Sequence, residues 1–231
     1  MQIKKVFRQE KKFLISGEQY YRFSHQFAEL FKEDSHNGID GYMVRSLYFD
    51  TLGNKDFEEK LAGVECRRKM RLRIYNSQDM TALLEMKQKQ GSNQLKRSLT
   101  ISREHAEKLM KGHYEALLEY DEPFAKECYG VLKMNCYMPK VIVEYKRRAF
   151  VFKENDTRIT FDSNISASKV TGRFWEEYAG CFPVMHPGCV VMEVKYNNFL
   201  LSYIKNILRI SNKSETAVSK YALARQAVFR F

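Results

Sequence analysis

The feature that most constrains the fold of this chain is a series of segments in which charged residues, mostly basic, occupy every second position. The clearest examples are Lys69/Arg71/Arg73, Glu85/Lys87/Lys89 and Glu193/Lys195. Side chains two positions apart on a β-strand share one face of the sheet. Because the intervening positions are mostly apolar, these segments predict a sheet with one apolar face and one charged face.

The same alternation recurs along the rest of the chain. The further segments are Arg8/Glu10/Lys12, Tyr145/Arg147, Arg158/Thr160/Asp162 and, with a single charge, Arg45. Like charges that lie directly opposite one another on a sheet repel. A sheet face with so many basic residues therefore predicts a concave site in which a polyanion lies among them.

Alternation and β-branched or aromatic residues predict eight strands, and apolar residues at helical spacing predict the helices between them. The predicted strands span 5–15, 42–50, 66–76, 81–90, 96–102, 139–153, 157–162 and 189–196. The predicted helices span 17–33, 102–110 with Ser102 as N-cap, 115–136 with an interruption near Pro123, 198–208 and 215–229. Many strands with interspersed helices predict an α+β fold.

Two arrangements of the charged face fit this pattern. A sheet closed into a barrel would enclose the charged face and leave its apolar outer face to be covered by helices. An open antiparallel sheet would expose the charged face to water. Arg and Lys dominate the polar positions, and carboxylates recur beside them as Glu-x-Lys, which favours enclosure over a merely solubilising surface.

The net charge of the chain limits the classes of binding partner that it favours. The net charge of the 231 residues is +11 and the pI is about 9.3, which suits nucleic acid, an anionic membrane surface or a phosphate-rich small molecule. A nucleic-acid binder would need an exposed basic stripe with stacking aromatic residues. Here the basic side chains alternate with apolar core positions, so we expect no nucleic-acid partner. No Ser/Gly-rich linker interrupts the chain, and we expect a single domain over residues 1–231.

The cysteines and the absence of certain motifs indicate the cellular compartment and exclude some enzyme classes. Five cysteines without a CxxC pair, and no signal peptide, predict a reducing, cytoplasmic setting. We expect no transmembrane segment, because the most apolar helical stretch is too short and too charged. A membrane-protein or operon partner leaves no signal in the sequence. Neither a Walker A motif nor a Gly-rich phosphate loop occurs, which argues against a P-loop enzyme.

Several short motifs, weak singly but specific in their order, resemble a known family over almost the whole chain. They are Arg8–Phe13, Arg45–Thr51, Arg71–Tyr75, Leu84–Lys87, Glu144–Phe150, Arg158–Asp162, Met192–Lys195 and Ser219–Tyr221. The chain resembles the VTC domain, which is the polyphosphate-polymerase domain of the vacuolar transporter chaperone family. That family belongs to the triphosphate tunnel metalloenzymes and is related to CYTH domains. The resemblance implies an eight-stranded antiparallel β tunnel barrel with a polar, basic interior, surrounded by helices.

The resemblance also implies roles for individual residues. The basic positions that match triphosphate- or polyphosphate-binding residues are Lys12, Arg71, Arg73, Lys87, Arg97, Arg147, Arg158 and Lys220. Tyr145 and Ser219 match polar phosphate contacts, and Glu193 matches a metal-binding carboxylate. The alternating pattern adds Arg45 and Lys195 to the expected phosphate ligands. Arg71, Arg73, Lys87 and Glu193 form the expected catalytic set.

Carboxylates combined with phosphate oxygens suit Mn²⁺ or Mg²⁺, so we expect Glu193 and Glu10 to hold one of these ions. Glu10 fits an ion pair with Lys12 equally well. The chain departs from the family pattern at Arg8, where CYTH-type proteins have a first glutamate, and at Ala217, where eukaryotic polymerases have a basic residue. The departure at Ala217 bears on processive chain synthesis.

The resulting functional hypothesis is metal-dependent phosphoryl transfer on ATP, another triphosphate or polyphosphate, in the manner of a polyphosphate polymerase. Positioning and electrostatic stabilisation carry most of the catalysis in such reactions. Two alternatives stay open from the sequence. The chain could be a triphosphatase that hydrolyses tripolyphosphate or a nucleoside triphosphate, or a non-catalytic module that binds polyphosphate or another anion.

Overall fold

The computed structural model describes residues 8–38, 40–91, 93–209 and 215–229. The strands are β1 Arg8–Ser16, β2 Lys32–Glu33, β3 Tyr42–Thr51, β4 Arg67–Ile74, β5 Thr81–Gln90, β6 Asn93–Ser102, β7 Tyr137–Phe152, β8 Thr157–Ser168, β9 Phe182–Pro183 and β10 Cys189–Asn197. The α-helices are α1 Gly17–Leu30, α2 Lys55–Leu61, α3 Arg103–Met110, α4 Pro123–Met134, α5 Ser202–Arg209 and α6 Lys220–Phe229. Short 3₁₀ helices cover Tyr114–Glu119, Glu154–Asp156 and Thr171–Trp175.

The chain packs into two compact units. Unit 1 comprises Met1–Met43, Tyr145–Ile165 and Met185–Ser219, and unit 2 comprises Val44–Glu144, Ser166–Val184 and Lys220–Phe231, each taken over its described residues. In unit 1, β1 pairs with β10, β10 with β8, and β2 with β7. In unit 2, β3 pairs with β4, β4 with β5, β5 with β6, and β9 with β8. Every one of these pairs is antiparallel, and the single domain over 1–231 stays a prediction.

The predicted α+β class with antiparallel strands is confirmed, and all eight predicted strands are present. Residues 5–7 of the first predicted strand lie outside the described residues. The structure adds the two-residue strands β2 and β9 and the helix α2, which the sequence analysis did not predict. The predicted helix over 17–33 ends at Leu30, and the predicted helix over 215–229 begins at Lys220. The interruption near Pro123 is confirmed, because Pro123 opens α4 at a position where its missing N–H costs nothing.

The core of unit 2 lies on the apolar face of β4, β5 and β6. This face carries the buried residues Met70, Leu72, Ile74, Ala82, Leu84, Met86, Leu99 and Ile101. The helices α3 and α4 cover it with Ala106, Leu109, Cys128 and Leu132, all of which are buried. Ser102 caps α3 as predicted, because its hydroxyl oxygen accepts a hydrogen bond from the backbone N–H of His105 at 3.1 Å.

The core of unit 1 is rich in aromatic residues. Its buried members include Phe13, Ile15, Phe23, Phe27, Phe150, Ile159, Phe161, Met192 and Val194. The helix α1 covers the apolar face of β1, β8 and β10 with Phe23 and Phe27. Ser16 and Gln19 form a capping box at the start of α1, so β1 passes directly into the helix.

Gly41 fixes how closely two backbone segments of unit 1 approach each other. Its φ is +88°, and a Cβ at this position would lie 2.2 Å from the carbonyl oxygen of Arg147. We expect Gly41→Ala to lower the free energy of unfolding by about 2–4 kcal/mol, through backbone strain and this clash. Urea unfolding at equilibrium measures the loss.

Gly63→Ala is a matched control, because Gly63 has a similar φ of +73° but open space around the added Cβ. It should cost only about 1 kcal/mol, the strain of a left-handed alanine. Equal losses in the two variants would contradict the close approach at Arg147.

Candidate functional site

The charged face of unit 2 is built by the register of β4, β5 and β6. Lys69, Lys87 and Lys96 are directly opposite one another across the three strands. The next row of partners is Arg71, Glu85 and Ser98. Like charges placed directly opposite each other on a sheet are destabilising. A row of three lysines on adjacent strands therefore concentrates positive charge on this face.

Glu85 is the buried anchor of this face. Its side chain is only 1% exposed. The Arg71 Nε lies 2.6 Å from one Glu85 carboxylate oxygen, the Arg73 Nε lies 3.7 Å from the same oxygen, and the Lys96 ammonium group pairs with the other oxygen. One carboxylate thus gathers three cations from two neighbouring strands and limits how their side chains can turn.

These cations also decide the protonation of Glu85. Burial raises the pKa of the Glu85 carboxyl, but Arg71, Arg73 and Lys96 together outweigh burial and hold that pKa well below its usual range. The carboxylate is therefore ionised at neutral pH. Its interactions stabilise the fold above the ordinary glutamate pKa, and that stabilisation is lost as the pH falls toward the lowered pKa of the folded state.

We expect the free energy of unfolding of the wild-type protein to fall between about pH 5 and about pH 2, partly because Glu85 must be protonated there. Glu85→Gln should be less stable than the wild type at about pH 7 and should lose less stability over the same acid range. Urea titrations at several pH values measure both effects. Glu65→Gln, at an exposed carboxylate, is the control, and parallel acid curves for the wild type and Glu85→Gln would exclude the anchor role.

Strand β3 supports the two arginines from the other side. The Arg71 Nη1 donates to the Tyr48 hydroxyl at 2.8 Å, and the Arg73 Nε donates to the Ser46 hydroxyl at 3.3 Å. Ser46 and Tyr48 are the strand partners of Arg73 and Arg71, so all four side chains share one face. Held by Glu85 and by β3, the two guanidinium groups are restricted in orientation.

Arg97 lies on the opposite face of the sheet, which contradicts the prediction that it belongs with the basic residues. Its strand partner is Met86, a core residue. The two Arg97 Nη atoms contact the Glu127 carboxylate of α4 at 2.5 and 2.6 Å, and the guanidinium lies 4.8 Å from the Phe124 ring centroid. Period-2 alternation places the neighbouring Lys96, not Arg97, on the charged face.

Arg45 is also placed on the apolar side. Its strand partner is Ile74, a core residue, and its side chain is 2% exposed. The guanidinium donates to the Glu144 carboxylate at 2.5 Å and to the backbone oxygens of Phe174, Glu176 and Glu177 at 2.5–3.1 Å. Arg45 is buried, and each nitrogen of its guanidinium group is hydrogen-bonded to a protein group. These contacts indicate a structural role and contradict the prediction that Arg45 is a phosphate ligand.

The charged face of unit 1 centres on four side chains of β1 and β10, which we call the quartet: Glu10, Lys12, Glu193 and Lys195. Lys12 is the strand partner of Glu193, and Glu10 is the strand partner of Lys195. The Lys12 Nζ lies 2.9 Å from Glu10 and 3.7 Å from Glu193, and the Lys195 Nζ lies 3.2 Å from Glu193 and 3.9 Å from Glu10. Each lysine thus contacts both carboxylates, and the predicted Glu10–Lys12 ion pair is present.

Strands β7 and β8 add two arginines to this unit. The Arg147 guanidinium binds both oxygens of the buried Asp162 carboxylate, at 2.6 and 2.7 Å, and lies 5.2 Å from the Tyr145 ring centroid. Burial lowers the pKa of Arg147, but Asp162 raises it by more, so the guanidinium stays charged. The Arg158 Nη2 donates to Asp34 at 2.8 Å, and Arg158 is the strand partner of Lys195.

A metal ion fits the oxygen atoms of unit 1. Thr160 is the strand partner of Glu193, and its hydroxyl oxygen is buried without a hydrogen-bond partner among the described residues. Carboxylate and hydroxyl oxygens suit Mg²⁺ or Mn²⁺, which commonly take the rest of their ligands from phosphate and water. In the described part of the chain, no three His, Cys, Asp or Glu side chains are grouped to hold a metal. The residues therefore fit an ion whose coordination a phosphate substrate would complete.

Ser219 and Lys220 lie where residues 215–219, which have no regular secondary structure, pass into α6. The backbone N–H of Thr216 donates to the Lys12 carbonyl oxygen at 2.8 Å, and the Lys12 Nζ donates to the Val218 carbonyl oxygen at 3.4 Å. Ser219 therefore follows a segment tied to β1 beside the quartet. In unit 2, Lys220 precedes Tyr221, whose ring stacks on Tyr48 at 4.9 Å and lies 5.7 Å from the Lys69 Nζ.

The sequence analysis missed Lys96 and the supporting residues Ser46 and Tyr48 as members of these faces, and it named Thr160 on the charged face without a role. For Lys96 a signal was available, because Leu95, Leu99 and Ile101 mark the apolar positions of β6 and leave Lys96 on the polar side. For Ser46 and Tyr48 the same rule applied to β3, where Leu47 and Phe49 mark the core positions. The alternation predicts the charged face of β4, β5 and β10 correctly but is shifted by one residue on β3, whereas on β6 the assignment of Arg97 came from the family resemblance.

Comparison with known proteins identifies the family of the chain. The family model of the VTC domain matches residues 7–229, which covers nearly the whole chain. No curated protein sequence matches the chain. Within the described residues, every helix is too short or too polar to cross a membrane.

Solved structures of similar fold extend over almost the full length of both chains. A proposed adenylyl cyclase from Hippeastrum, reported to have a dominant triphosphatase activity, is 13% identical, with 94% of this chain and 95% of that chain covered and a TM-score of 0.57. A proposed adenylate cyclase from Bacillus halodurans is 14% identical, with 93% and 96% covered and a TM-score of 0.55. A protein from Pyrococcus horikoshii is 11% identical, with 96% and 99% covered and a TM-score of 0.50. At such identities the likeness shows a shared fold.

Proposed function

The chain belongs to the VTC domain family, and from that premise we propose that it transfers phosphoryl groups from ATP or another triphosphate in a metal-dependent reaction, as a polyphosphate polymerase does. The acceptor would be phosphate or a growing polyphosphate chain. The observation that carries this proposal is the charged face of unit 2, where three lysines in one row adjoin two arginines oriented by a buried carboxylate.

The residues of unit 2 would bind and orient the phosphate groups. Arg71 and Arg73 offer planar donors that match two phosphate oxygens at once, and Lys87 and Lys96 supply point charges. Charge that develops on the transferred group is then met by cations that are already in position, which is how electrostatic preorganisation accelerates a reaction. Glu85 would act as a positioning residue, since it touches the cations and not the substrate.

The residues of unit 1 would hold the metal and would also offer phosphate ligands. Glu193 and Glu10, with the hydroxyl oxygen of Thr160 beside Glu193, would hold Mn²⁺ or Mg²⁺. When bound, the ion would polarise phosphate oxygens and neutralise their charge. In unit 1, Lys12, Lys195, Arg147 and Arg158, together with Tyr145 and Ser219, would contact phosphate oxygens, and Lys220 would do so in unit 2.

Two other functions use the same residues. A triphosphatase would pass the phosphoryl group to water, and the shared fold with the Hippeastrum protein of dominant triphosphatase activity supports this alternative. A non-catalytic module would bind polyphosphate without turnover. Ala217 lies in the segment without regular secondary structure before α6. Eukaryotic polymerases have a basic residue at this position, so alanine here argues against processive synthesis and favours the alternatives.

One assay separates the three functions. The full chain is incubated with ATP and Mn²⁺, and both polyphosphate and free phosphate are measured. Polyphosphate that accumulates supports the polymerase, and phosphate release alone supports the triphosphatase. Tight tripolyphosphate binding by calorimetry without either product, across Mg²⁺, Mn²⁺ and Co²⁺ and with ATP, GTP or tripolyphosphate, would leave the binding module.

We also propose a cytoplasmic setting for this activity. All five cysteines are free thiols, two of them exposed, and free exposed thiols suit a reducing compartment. ATP is available in the same compartment. A membrane-protein partner is compatible with this setting, and co-purification of the tagged full chain would identify such a partner.

A further inference from the structure

The quartet of unit 1 combines two acidic and two basic side chains that need opposite ligands. Glu10 and Glu193 suit a divalent cation, whereas Lys12 and Lys195 suit phosphate. Each lysine lies within 2.9–3.9 Å of both carboxylates, so its ammonium group competes with a cation for the same oxygens. The side chains are only 8–24% exposed, which limits how far solvent screens this competition.

We propose that the quartet couples its two ligands, so that a divalent cation and a polyphosphate chain each bind more tightly when the other is present. This proposal rests on the proposed function and adds a regulation of the same site. Phosphate oxygens that take the ammonium groups of Lys12 and Lys195 remove the competitors of the cation at Glu10 and Glu193. By thermodynamic linkage, a cation that takes the carboxylates frees the lysines for phosphate by the same factor.

The strand register explains why neither ligand suffices alone. Lys12 and Glu193 are direct strand partners, and so are Glu10 and Lys195, with the signs reversed. A cation that binds alone must leave two ammonium groups without their carboxylates in a shielded place, which is costly. A polyanion that binds alone faces two carboxylates of its own sign. Only the two ligands together match all four charges.

The consequence is that an activity switched on by metal would also be selective for substrates that carry many phosphate charges. A monophosphate would reach too few of the cations to release both carboxylates. We therefore expect tripolyphosphate to raise the affinity of the protein for Mn²⁺ and inorganic phosphate to raise it less. A parallel titration without protein accounts for the Mn²⁺–tripolyphosphate complex in solution.

Lys195→Gln tests the coupling, because the substitution should change the affinities for the two ligands in opposite directions. With Mn²⁺ alone, calorimetry should show about tenfold tighter binding than for the wild type, because one competitor of Glu10 and Glu193 is gone. With tripolyphosphate alone in EDTA, binding should be about tenfold weaker, because one phosphate contact is lost. The enhancement of Mn²⁺ binding by tripolyphosphate should shrink in the variant.

Lys11→Gln is the matched control. It removes one positive charge from β1, the strand paired with the β10 strand of Lys195, but its ammonium group pairs with Glu215 at 3.2 Å and is outside the quartet. At moderate salt it should change either affinity by less than about twofold. Shifts no larger in Lys195→Gln than in Lys11→Gln, or a wild-type Mn²⁺ affinity that tripolyphosphate does not raise, would overturn the proposal.

These titrations need no turnover, so they separate the coupling from the proposed function. If Lys195→Gln shifts the Mn²⁺ and tripolyphosphate affinities in opposite directions but the wild type forms no product, the coupling is supported and the proposed enzymatic function is rejected. Product formation in a protein whose Mn²⁺ and tripolyphosphate affinities are independent would support the enzyme and reject the coupling.

Discussion

Glu193→Gln is expected to abolish metal-dependent turnover and leave the fold intact. The substitution keeps the size of the side chain but removes the negative charge that would hold the cation. We expect product formation from ATP to fall by about 100-fold or more, because loss even of supporting groups at metal sites costs 10–100-fold. The rate is measured with saturating Mn²⁺ and again with EDTA.

The fold is checked separately by urea unfolding and by binding of tripolyphosphate in EDTA. Glu193 contacts both lysines of the quartet, so the variant should bind tripolyphosphate in EDTA at least as well as the wild type. Glu18→Gln, at an exposed position in the first turn of α1, is the control and should retain full activity. Unchanged turnover in Glu193→Gln, or wild-type turnover that EDTA does not affect, would remove Glu193 from the metal site.

Lys96→Ala and Arg97→Ala are expected to differ sharply although the two residues are neighbours in sequence. Lys96 belongs to the row of lysines that we propose binds phosphate, so its loss should weaken tripolyphosphate binding by about tenfold, the cost of one charged contact that is partly exposed. Arg97 lies on the apolar side, where it pairs with Glu127. Its loss should leave tripolyphosphate affinity within about twofold of the wild type and lower stability by about 1 kcal/mol.

Calorimetry at two salt concentrations, together with urea unfolding of each variant, measures these effects. The contribution of Lys96 should decrease at high salt, because screening weakens the attraction between an exposed cation and an anion. Each variant thus serves as the control for the other. A larger loss of anion affinity in Arg97→Ala than in Lys96→Ala would reverse the assignment of faces in β6.

Much of the fold could be predicted because the local pattern and the tertiary packing agree. The alternation in 67–74 and 81–90 gave both the strands and their charged face, since Met70, Leu72, Leu84 and Met86 are all core residues. The N-cap Ser102 of α3 and Pro123 at the first position of α4 are local signals that no distant contact overrides. Short elements were missed, because a two-residue strand such as β2 exists only through its partner β7.

The candidate site was harder to predict where the residues two positions before and after a basic residue are apolar, as they are for Arg45 and Arg97. Arg45 and Arg97 are long, and each reaches a carboxylate and other acceptors on the apolar side of its strand. An arginine can therefore occupy a position on the apolar side of a strand if hydrogen-bond acceptors lie within reach of its guanidinium group. Those acceptors come from distant segments, 99 residues away for Arg45 and 30 for Arg97.

The sequence by itself determined the class of fold, the position of the eight long strands and the basic character of one sheet face, because side-chain periodicity is a local property of the backbone. The tertiary structure alone decided which lysine shares a row with Lys69 and Lys87, that the buried Glu85 contacts Arg71, Arg73 and Lys96, and that each lysine of the quartet contacts both of its carboxylates. Those relations depend on the register between strands that are distant in sequence. Register is set by the packing of the whole apolar face, which no single segment specifies.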